Sequence, residues 1–417
     1  MAKHSNAFVC EQIIVSTKIH RSRKVLAFNS AQLVQNSFFF SVILGVGIKI
    51  TPIAFLDLCA LLLLAFFDPS KRGATLSGWG VLLVAYGMLT FAVGAFFACD
   101  TKTALNSARQ FVLIASLAFL PSTISENNAA SFLKGGLFLL GLSIILPLYG
   151  FFCQFPVAWW QDWLFTGTAY ASFGVFISVL AIIVFARKHS FIKGILSIAA
   201  GLIVAVLWDS RTSTLMILSA LPVLLVMQRR ALQIGITGLL LVSLIALATS
   251  ITSLDEQVES LKLTYTESED RDLDRKQQNA AVLLLIKKDP LHALLGKGGY
   301  SHQFDMLHYG VDYTDKVRPT GLPAIVFDGG IIFLGLILCS SIAAAVNVYY
   351  AGRGCGLMLL SPYLLIAFSL IISLVTNVTG CVLWWWIILP KGFAYALTIH
   401  LKRRTQFTTL RTAALAA

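Results

Sequence analysis

The sequence predicts an all-α fold, a polytopic bundle of about twelve membrane-spanning helices with one large polar loop. Three observations support this prediction. Hydrophobic residues make up 57% of the 417 residues and charged residues only 12%, whereas soluble domains are about 45–50% apolar and about 25% charged. Mean hydropathy is +0.79. The apolar runs are continuous over the length of a span instead of alternating, which is typical of transmembrane helices.

Twelve apolar segments approach the length of about 20 residues that a membrane-spanning helix needs. The predicted spans are residues 27–48, 52–67, 74–97, 103–124, 131–152, 170–186, 194–208, 212–228, 231–249, 321–350, 356–377 and 381–400. The predicted organisation is therefore an N-terminal tail at 1–26, spans one to nine within 27–249, a polar loop at 250–320, spans ten to twelve within 321–400 and a C-terminal tail at 401–417.

The distribution of Lys and Arg predicts the orientation of these spans. If the N-terminus is cytoplasmic, the short connections on the outer side carry little positive charge beyond Lys49, Lys102 and Arg211. The cytoplasmic side then collects Lys18, Arg21, Arg23, Lys24, Lys71, Arg72, Arg187, Lys188, Lys193, Arg229, Arg230, Arg353, Lys402, Arg403 and Arg404. Positively charged connections stay in the cytoplasm. Both termini are therefore predicted to be cytoplasmic, and the polar loop is predicted to lie outside.

Two other classes of protein do not fit this pattern. The net charge of +12 does not indicate a nucleic-acid partner, because most of the cations sit in short connections where they orient helices. The seven cysteines lie in or beside apolar segments or in the N-terminal tail, and no CxxC pair occurs. Neither a zinc site nor a disulfide framework is indicated.

The polar loop at 250–320 is where chemistry on water-soluble groups is predicted. It holds 12 of the 20 acidic residues, 9 of the 32 basic residues and 3 of the 7 histidines. Arg271 and Arg275 are four residues apart and share a helix face, where two guanidinium groups can bind a phosphate. The alternative is ion pairing with Asp270, Asp272 and Asp274. Asp272 and Asp274 also form a D-x-D pattern that can bind a metal, but so short a match arises by chance in any acidic segment.

An acidic start and a basic end predict a helix over residues 268–289. Pro290 is predicted to end this helix, and the glycines at 296, 298 and 299 are predicted to form a turn. His302 and His308 follow the turn, and either can act as a base near neutral pH. The alternative for both histidines is that they take no part in catalysis.

Ionisable residues in or near the spans are further candidates, because a charge in the bilayer is costly. They are Asp57 in span two, Arg109 in span four, Asp209 and Arg211 between spans seven and eight, and Asp328 early in span ten. All of them map to the outer side, which predicts one outward-facing polar cavity. The alternative is mutual pairing for packing alone, for example Asp57 with Arg109.

Three segments carry a recognisable pattern. One is Asp209-Ser210-Arg211-Thr212, before a mid-chain span; another is Arg318, followed after ten residues by Gly329. Between them lies a run from Arg275 through Ala280-Ala281 to Lys288-Asp289-Pro290-Leu291 and Gly296-Lys297-Gly298-Gly299-Tyr300. In their order and their side of the membrane, these segments resemble the O-antigen polymerase/ligase superfamily of bacterial inner membranes. The twelve-span plan, with its large outer loop between spans nine and ten, fits the same family.

The resemblance implies a glycosyltransferase that works at the periplasmic face on an undecaprenyl-diphosphate-linked oligosaccharide, without a metal or other cofactor. The acceptor is a second lipid-linked glycan in a polymerase, or lipid A–core in a ligase, and a chain-length regulator protein is a further partner. The implied catalytic residues are Arg211, Arg275, Arg318, His302 and His308. The implied substrate-binding residues are Arg271, Arg109, Asp209, Asp305 and Tyr300.

One departure from the family pattern bears on the choice between these two activities. Ligases of this superfamily usually carry a histidine about eleven residues before the glycine of span ten, where this chain has Arg318-Pro319. This favours a repeat-unit polymerase, unless His302 or His308 folds back to take that place. The single large loop argues for a ligase, since some polymerases have two. A transporter or lipid flippase is the third hypothesis, and the clustering of charge in the loop argues against it.

Overall fold

The computed structural model describes residues 33–41, 49–50, 53–65, 78–98, 100–118, 130–131, 134–142, 144–145, 167–188, 191–207, 211–228, 276–311, 321–353 and 358–374. At a few positions inside these ranges only the backbone is described. The described part of the chain is helical apart from short connections and one two-residue β-ladder, in which Lys49–Ile50 (β1) pairs antiparallel with Ile53–Ala54 (β2).

The helices of the first half are α1 (33–41), α2 (Phe55–Ala65), α3 (Gly78–Phe96), α4 (Thr101–Ala118), α5 (134–142), α6 (Gly167–Lys188), α7 (Phe191–Leu207), α8 (Arg211–Leu218) and α9 (Ala220–Gln228). The second half contains α10 (276–288), α11 (Pro290–Leu295), α12 (His302–Asp305), a 3₁₀ turn at Met306–Tyr309, α13 (Gly321–Gly352) and α14 (Leu360–Leu374).

The described helices confirm the all-α prediction. Helices α1–α9, α13 and α14 fall at predicted spans one to eight, ten and eleven, and α10–α12 fall in the predicted loop. Span two is corrected at its start, because Ile53–Ala54 is a strand and the helix begins at Phe55. Spans nine and twelve, at 231–249 and 381–400, lie outside the described residues. The number of twelve spans therefore stays a prediction.

Two described helices are long and apolar enough to cross a membrane, by length and composition. They are Gly78–Phe96 of α3 and Gly321–Tyr350 of α13. Both expose large apolar side chains, such as Leu82 and Leu89 on α3 and Ile331 and Leu338 on α13. Exposed apolar surface of this kind suits contact with hydrocarbon better than contact with water.

The helices pack as two groups that share α14. In one group, α4 packs on α2 and α3, α3 packs on α13, and α11 packs on α13. In the other group α6, α7, α8 and α9 pack on one another. Helix α14 contacts α13 of the first group and α6, α8 and α9 of the second. Most buried apolar side chains of both groups belong to one core, and a second, smaller core includes Ala293 of α11 with Val326 and Phe327 of α13.

Small residues allow the close approach of α6, α7 and α8. A Cβ atom added to Gly174 would stand 2.7 Å from the Met216 Cβ atom, and one added to Gly201 would stand 2.5 Å from a methyl of Ile177. The buried hydroxyl of Ser178 donates to the carbonyl oxygens of Gly174 and Met216, at 2.8 and 3.1 Å. Small residues and hydroxyl hydrogen bonds at helix crossings are typical of helices that associate in membranes.

Helix α13 is broken at Gly330, and this break positions the site described below. The backbone of Gly330 has φ 72° and ψ −177°, a combination open almost only to glycine. The carbonyl oxygen of Leu294 at the end of α11 would lie only 2.2 Å from a Cβ atom at this position. The break therefore lets the chain of α11 approach the axis of α13.

We expect Gly330→Ala to lower the free energy of unfolding by at least about 1–3 kcal/mol, through backbone strain and the clash with Leu294. Gly335→Ala on the same helix is the matched control, because a Cβ atom there meets nothing within 4 Å. It is expected to be neutral, or stabilising by up to about 1 kcal/mol. Thermal unfolding of both variants in lipid nanodiscs measures the difference; equal melting temperatures would contradict the role of the break.

Candidate functional site

The candidate site is formed by residues 289–311, at the place where the sequence predicts a turn. Helix α10 ends at residue 288, close to the predicted end of the 268–289 helix, whereas the predicted start of that helix lies outside the described residues. Pro290 begins a new helix, α11, instead of only ending the previous one. Proline favours the first turn of a helix, where its missing N–H leaves no hydrogen bond unmade.

Asp289 caps the new helix. Its side chain accepts a hydrogen bond from the backbone N–H of His292 at 3.3 Å, and its other carboxylate oxygen contacts the Nδ1 atom of the His292 ring. The hydrogen bond from the His292 side chain holds the pKa of Asp289 below its usual value. The charged form of Asp289 therefore favours this geometry, and α11 begins at a fixed point.

The glycine-rich turn after α11, residues 296–301, is attached to α13 and α3 through its backbone. The N–H groups of Lys297 and Gly298 donate to the carbonyl oxygens of Phe327 and Asp328, at 3.0 and 2.9 Å. The N–H of Gly299 donates to the carbonyl oxygen of Thr90 in α3 at 2.8 Å. Backbone hydrogen bonds thus hold the turn between two apolar helices, α13 and α3.

Helix α4 completes the attachment with its polar face. The Ser107 hydroxyl donates to the carbonyl oxygen of Gly299 at 2.9 Å, and the Gln110 amide donates to the Tyr300 hydroxyl at 3.2 Å. Ser107, Gln110 and Tyr300 are all buried. Tyr300 has φ 65°, which is unusual for a residue with a side chain. Tyr300, a predicted substrate-binding residue, is therefore placed where it holds the turn to the bundle.

A buried pair between His302 and Asp328 lies at the centre of the site. The Nδ1 atom of His302 lies 2.9 Å from both carboxylate oxygens of Asp328, and the His302 backbone N–H donates to one of them at 3.1 Å. The side chains are only 2% and 1% exposed. The Ser301 hydroxyl lies 3.3 Å from the same carboxylate and 3.0 Å from the carbonyl oxygen of Phe327. Buried carboxylates need such donors, because their desolvation is costly.

The pair fixes what His302 can do. When Nδ1 carries the proton donated to Asp328, the neutral ring has its basic nitrogen at Nε2, at the opposite edge. Asp328 therefore holds the ring in one orientation. The His302 ring also packs against the Tyr300 ring, with the two centroids 5.7 Å apart. The structure thus assigns His302 a holding role directly, and its role as a base stays a prediction.

The predicted site residues that follow the turn, Asp305 and His308, are less buried. Asp305 lies 3.3 Å from the Nζ atom of Lys297, and this pair is about one quarter to one fifth exposed. The Lys297 ammonium also stands over the Tyr309 ring, at 6.0 Å from its centroid. His308 is exposed on the 3₁₀ turn. Asp305 is therefore a partner of Lys297 rather than an isolated carboxylate.

The predicted convergence of arginines falls largely outside the described residues. Arg271, Arg275, Arg318 and Asp209 are not among them, and of Arg211 only the backbone, at the start of α8, is described. Arg109 is described: it lies in α4 between Ser107 and Gln110, and its Nε and Nη2 atoms are buried. Arg109 and Asp328 thus lie at the same end of the bundle, where the polar turn is attached.

Ser107 and Gln110 were not predicted as parts of this site, and Lys297 was named only within the Gly296–Tyr300 motif. The spacing of Ser107 and Gln110 in the polar first half of α4 was the available signal, because residues three apart share a helix face. Their partners are backbone and side-chain atoms about 190 residues away in the chain, which no local pattern reveals. Among the described residues, no group of three or more His, Cys, Asp or Glu side chains is placed to hold a metal ion.

Comparison of the chain with protein-family models, with curated proteins and with solved structures gave no significant match.

Removing the Asp328 carboxylate is expected to lower the free energy of unfolding by about 3–5 kcal/mol, because it leaves a buried partner uncompensated. We predict this loss for Asp328→Ala. The control is Asp305→Ala, which breaks the more exposed pair with Lys297 and is expected to cost about 1 kcal/mol or less. Unfolding of both variants in nanodiscs measures the contrast. If Asp328→Ala is as mild as Asp305→Ala, the buried pair does not hold the turn.

Proposed function

We propose that this protein is a membrane glycosyltransferase that acts on a polyprenyl-diphosphate-linked oligosaccharide at the periplasmic face, as an O-antigen or surface-polysaccharide repeat-unit polymerase. One observation carries the proposal: two of the sequence segments that resemble the polymerase/ligase superfamily are in contact. The turn Gly296–Tyr300 hydrogen-bonds the carbonyl oxygens of Phe327 and Asp328, which directly precede Gly329 of the Arg318–Gly329 segment.

The chemistry follows from the substrate class. A sugar hydroxyl of the acceptor attacks the anomeric carbon of the donor glycan, the bond to the lipid diphosphate breaks, and the hydroxyl proton passes to a base or to water. The leaving diphosphate gains negative charge as this bond breaks. Fixed cations at that place lower the barrier, and removing one such group typically lowers the rate by about a hundredfold or more. Arg211, Arg275 and Arg318 are proposed for this role, with Arg109 and Arg271 as further contacts.

The ligase activity is the second candidate, and a specific observation favours it. The family's ligases carry a histidine before the glycine of span ten, which this chain lacks at Arg318-Pro319. His302 instead comes from the preceding turn and contacts Asp328, the residue before Gly329. This arrangement is therefore consistent with a ligase, which requires His302 or His308 to take the place of the missing histidine. The acceptor would then be lipid A–core.

The test uses purified protein in nanodiscs with a synthetic undecaprenyl-diphosphate oligosaccharide. Product with the lipid-linked glycan alone supports the polymerase, whereas product that requires lipid A–core supports the ligase. We expect Arg275→Ala and Arg318→Ala each to lower the rate by about a hundredfold or more with the protein still folded, because each removes a cation from the leaving group. Lys102→Ala, an exposed cation at the start of α4, is the control and should retain full activity.

Two outcomes would contradict the proposal. One is the absence of glycan transfer with either acceptor by folded wild-type protein. The other is an equal, small effect of the arginine variants and Lys102→Ala. Transport of the lipid-linked glycan across the membrane of proteoliposomes, without new glycosidic bonds, would instead support the flippase hypothesis.

A further inference from the structure

Segment 290–300 contacts α3 at positions far from the C-terminal end of that helix. The Tyr86 hydroxyl donates to the carbonyl oxygen of Leu295 at 2.9 Å, and Tyr86 is ten residues before Phe96, the last residue of α3. At a rise of 1.5 Å per residue, Leu295 is therefore about 15 Å from that end of the helix. Gly299 binds Thr90, which is about 9 Å from the same end. The segment thus runs along α3 instead of resting on its tip.

Helices α13 and α4 give the same order of depths independently. The carbonyl oxygen of Leu294 lies at Gly330, nine residues or about 13 Å into α13. Gly298 binds Asp328, about 10 Å into the same helix. Gly299 accepts from Ser107, which is about 9 Å from the start of α4. Leu294 and Leu295 are therefore the deepest part of the segment, and the chain returns outward from there.

Backbone at this depth in a membrane is tolerated only when its polar groups are bonded within the protein. The four N–H groups of segment 296–299 meet that condition, because they donate to the carbonyl oxygens of His292, Phe327, Asp328 and Thr90. The carbonyl oxygens of Gly298 and Gly299 accept from Ser301 and Ser107. Two of the acceptors for the N–H groups, the carbonyl oxygens of Phe327 and Asp328, lie directly before the break of α13 at Gly330. A loop in water would not need all of its N–H groups to be paired within the protein.

The outer face of α11 is apolar. Leu291, Leu294 and Leu295 are spaced to share one helix face, and they are 62%, 45% and 46% exposed. Ala293, on the opposite face, is buried in a small core with Val326 and Phe327 of α13. At the same level, Leu89 of α3 and Ile331 of α13 are also exposed. The leucine face of α11 therefore lies at the same depth as exposed apolar side chains of two span-length helices.

We propose that residues 290–300 form a re-entrant element, and that the leucine face of α11 is covered by the acyl chains of the bilayer. The chain enters the membrane at Asp289 and Pro290, turns at Gly296–Gly299 and leaves again through His302. In this proposal, part of the 250–320 loop, which the sequence predicts to lie outside, lies within the membrane. The inference rests on the membrane placement of α3 and α13 in the proposed function, and it does not depend on the glycan chemistry.

In this arrangement, the polar residues Lys297 and His302 lie inside the bundle, away from the outer ends of α3, α4 and α13. Their pairing with Asp305 and Asp328 allows ionisable groups at that level. A substrate reaches them from within the membrane region. A phosphate group that is anchored to the bilayer by its own lipid chain is the chemical class that can do so.

Thiol labelling tests the proposal in the full-length protein. Leu291→Cys and Leu294→Cys are compared with Lys276→Cys and Lys287→Cys on α10, all at exposed positions. The proteins are placed in nanodiscs and treated with a membrane-impermeant maleimide, and labelling of the native cysteines is subtracted. We expect the two leucine positions to react at least about tenfold more slowly, because a thiol in hydrocarbon does not form the reactive thiolate. All four positions should react equally after unfolding in detergent.

Three other outcomes would overturn the re-entrant element. Labelling at Leu294→Cys as fast as at Lys287→Cys, in protein that melts like the wild type, would overturn the re-entrant element while leaving the enzyme proposal untouched. Slow labelling combined with a disulfide between two chains at position 294 would overturn it in favour of a second copy as the cover. If the protein is extracted from membranes by alkaline carbonate, both the re-entrant element and the proposed function fail.

Discussion

The arrangement of the site depends on the pairing of backbone groups between a glycine-rich turn and a broken helix. Where α13 breaks at Gly330, the carbonyl oxygens of Phe327 and Asp328 accept hydrogen bonds from Lys297 and Gly298. Unpaired polar backbone among apolar helices costs several kcal/mol per group. This pairing therefore selects both the glycines of the turn and the glycine of the break, since a side chain at either place would prevent the contact.

The pair of His302 and Asp328 follows from the same contact. Once Gly298 is bound to the backbone of Asp328, the next residues of the turn bring Ser301 and His302 to the Asp328 carboxylate. The ionisable groups are thereby compensated inside the bundle instead of being exposed to hydrocarbon. His302 and Asp328 thus hold the turn in the fold and are also candidates for the chemistry.

The sequence predicted the helical class and most helix positions because a long apolar run has few other folded states in a membrane. It also predicted Gly296, Gly298 and Gly299 as a turn and Asp328 as a charge of interest. It could not predict the helix α11, because Pro290 marks a helix start as readily as an end. The contacts of Ser107 and Gln110 with the turn were beyond local patterns, since they depend on how helices distant in sequence pack. The arginine convergence and the glycan chemistry stay predictions.

Amide hydrogen exchange over the turn tests the central claim most directly, because it measures the proposed backbone pairing itself. In nanodiscs, a peptide that covers residues 296–302 should exchange as slowly as peptides from the middle of α3 and α13, since its amides open only when the turn leaves the bundle. Gly330→Ala should raise its rate selectively. Exchange of this peptide in the wild type as fast as an unstructured chain would contradict the account.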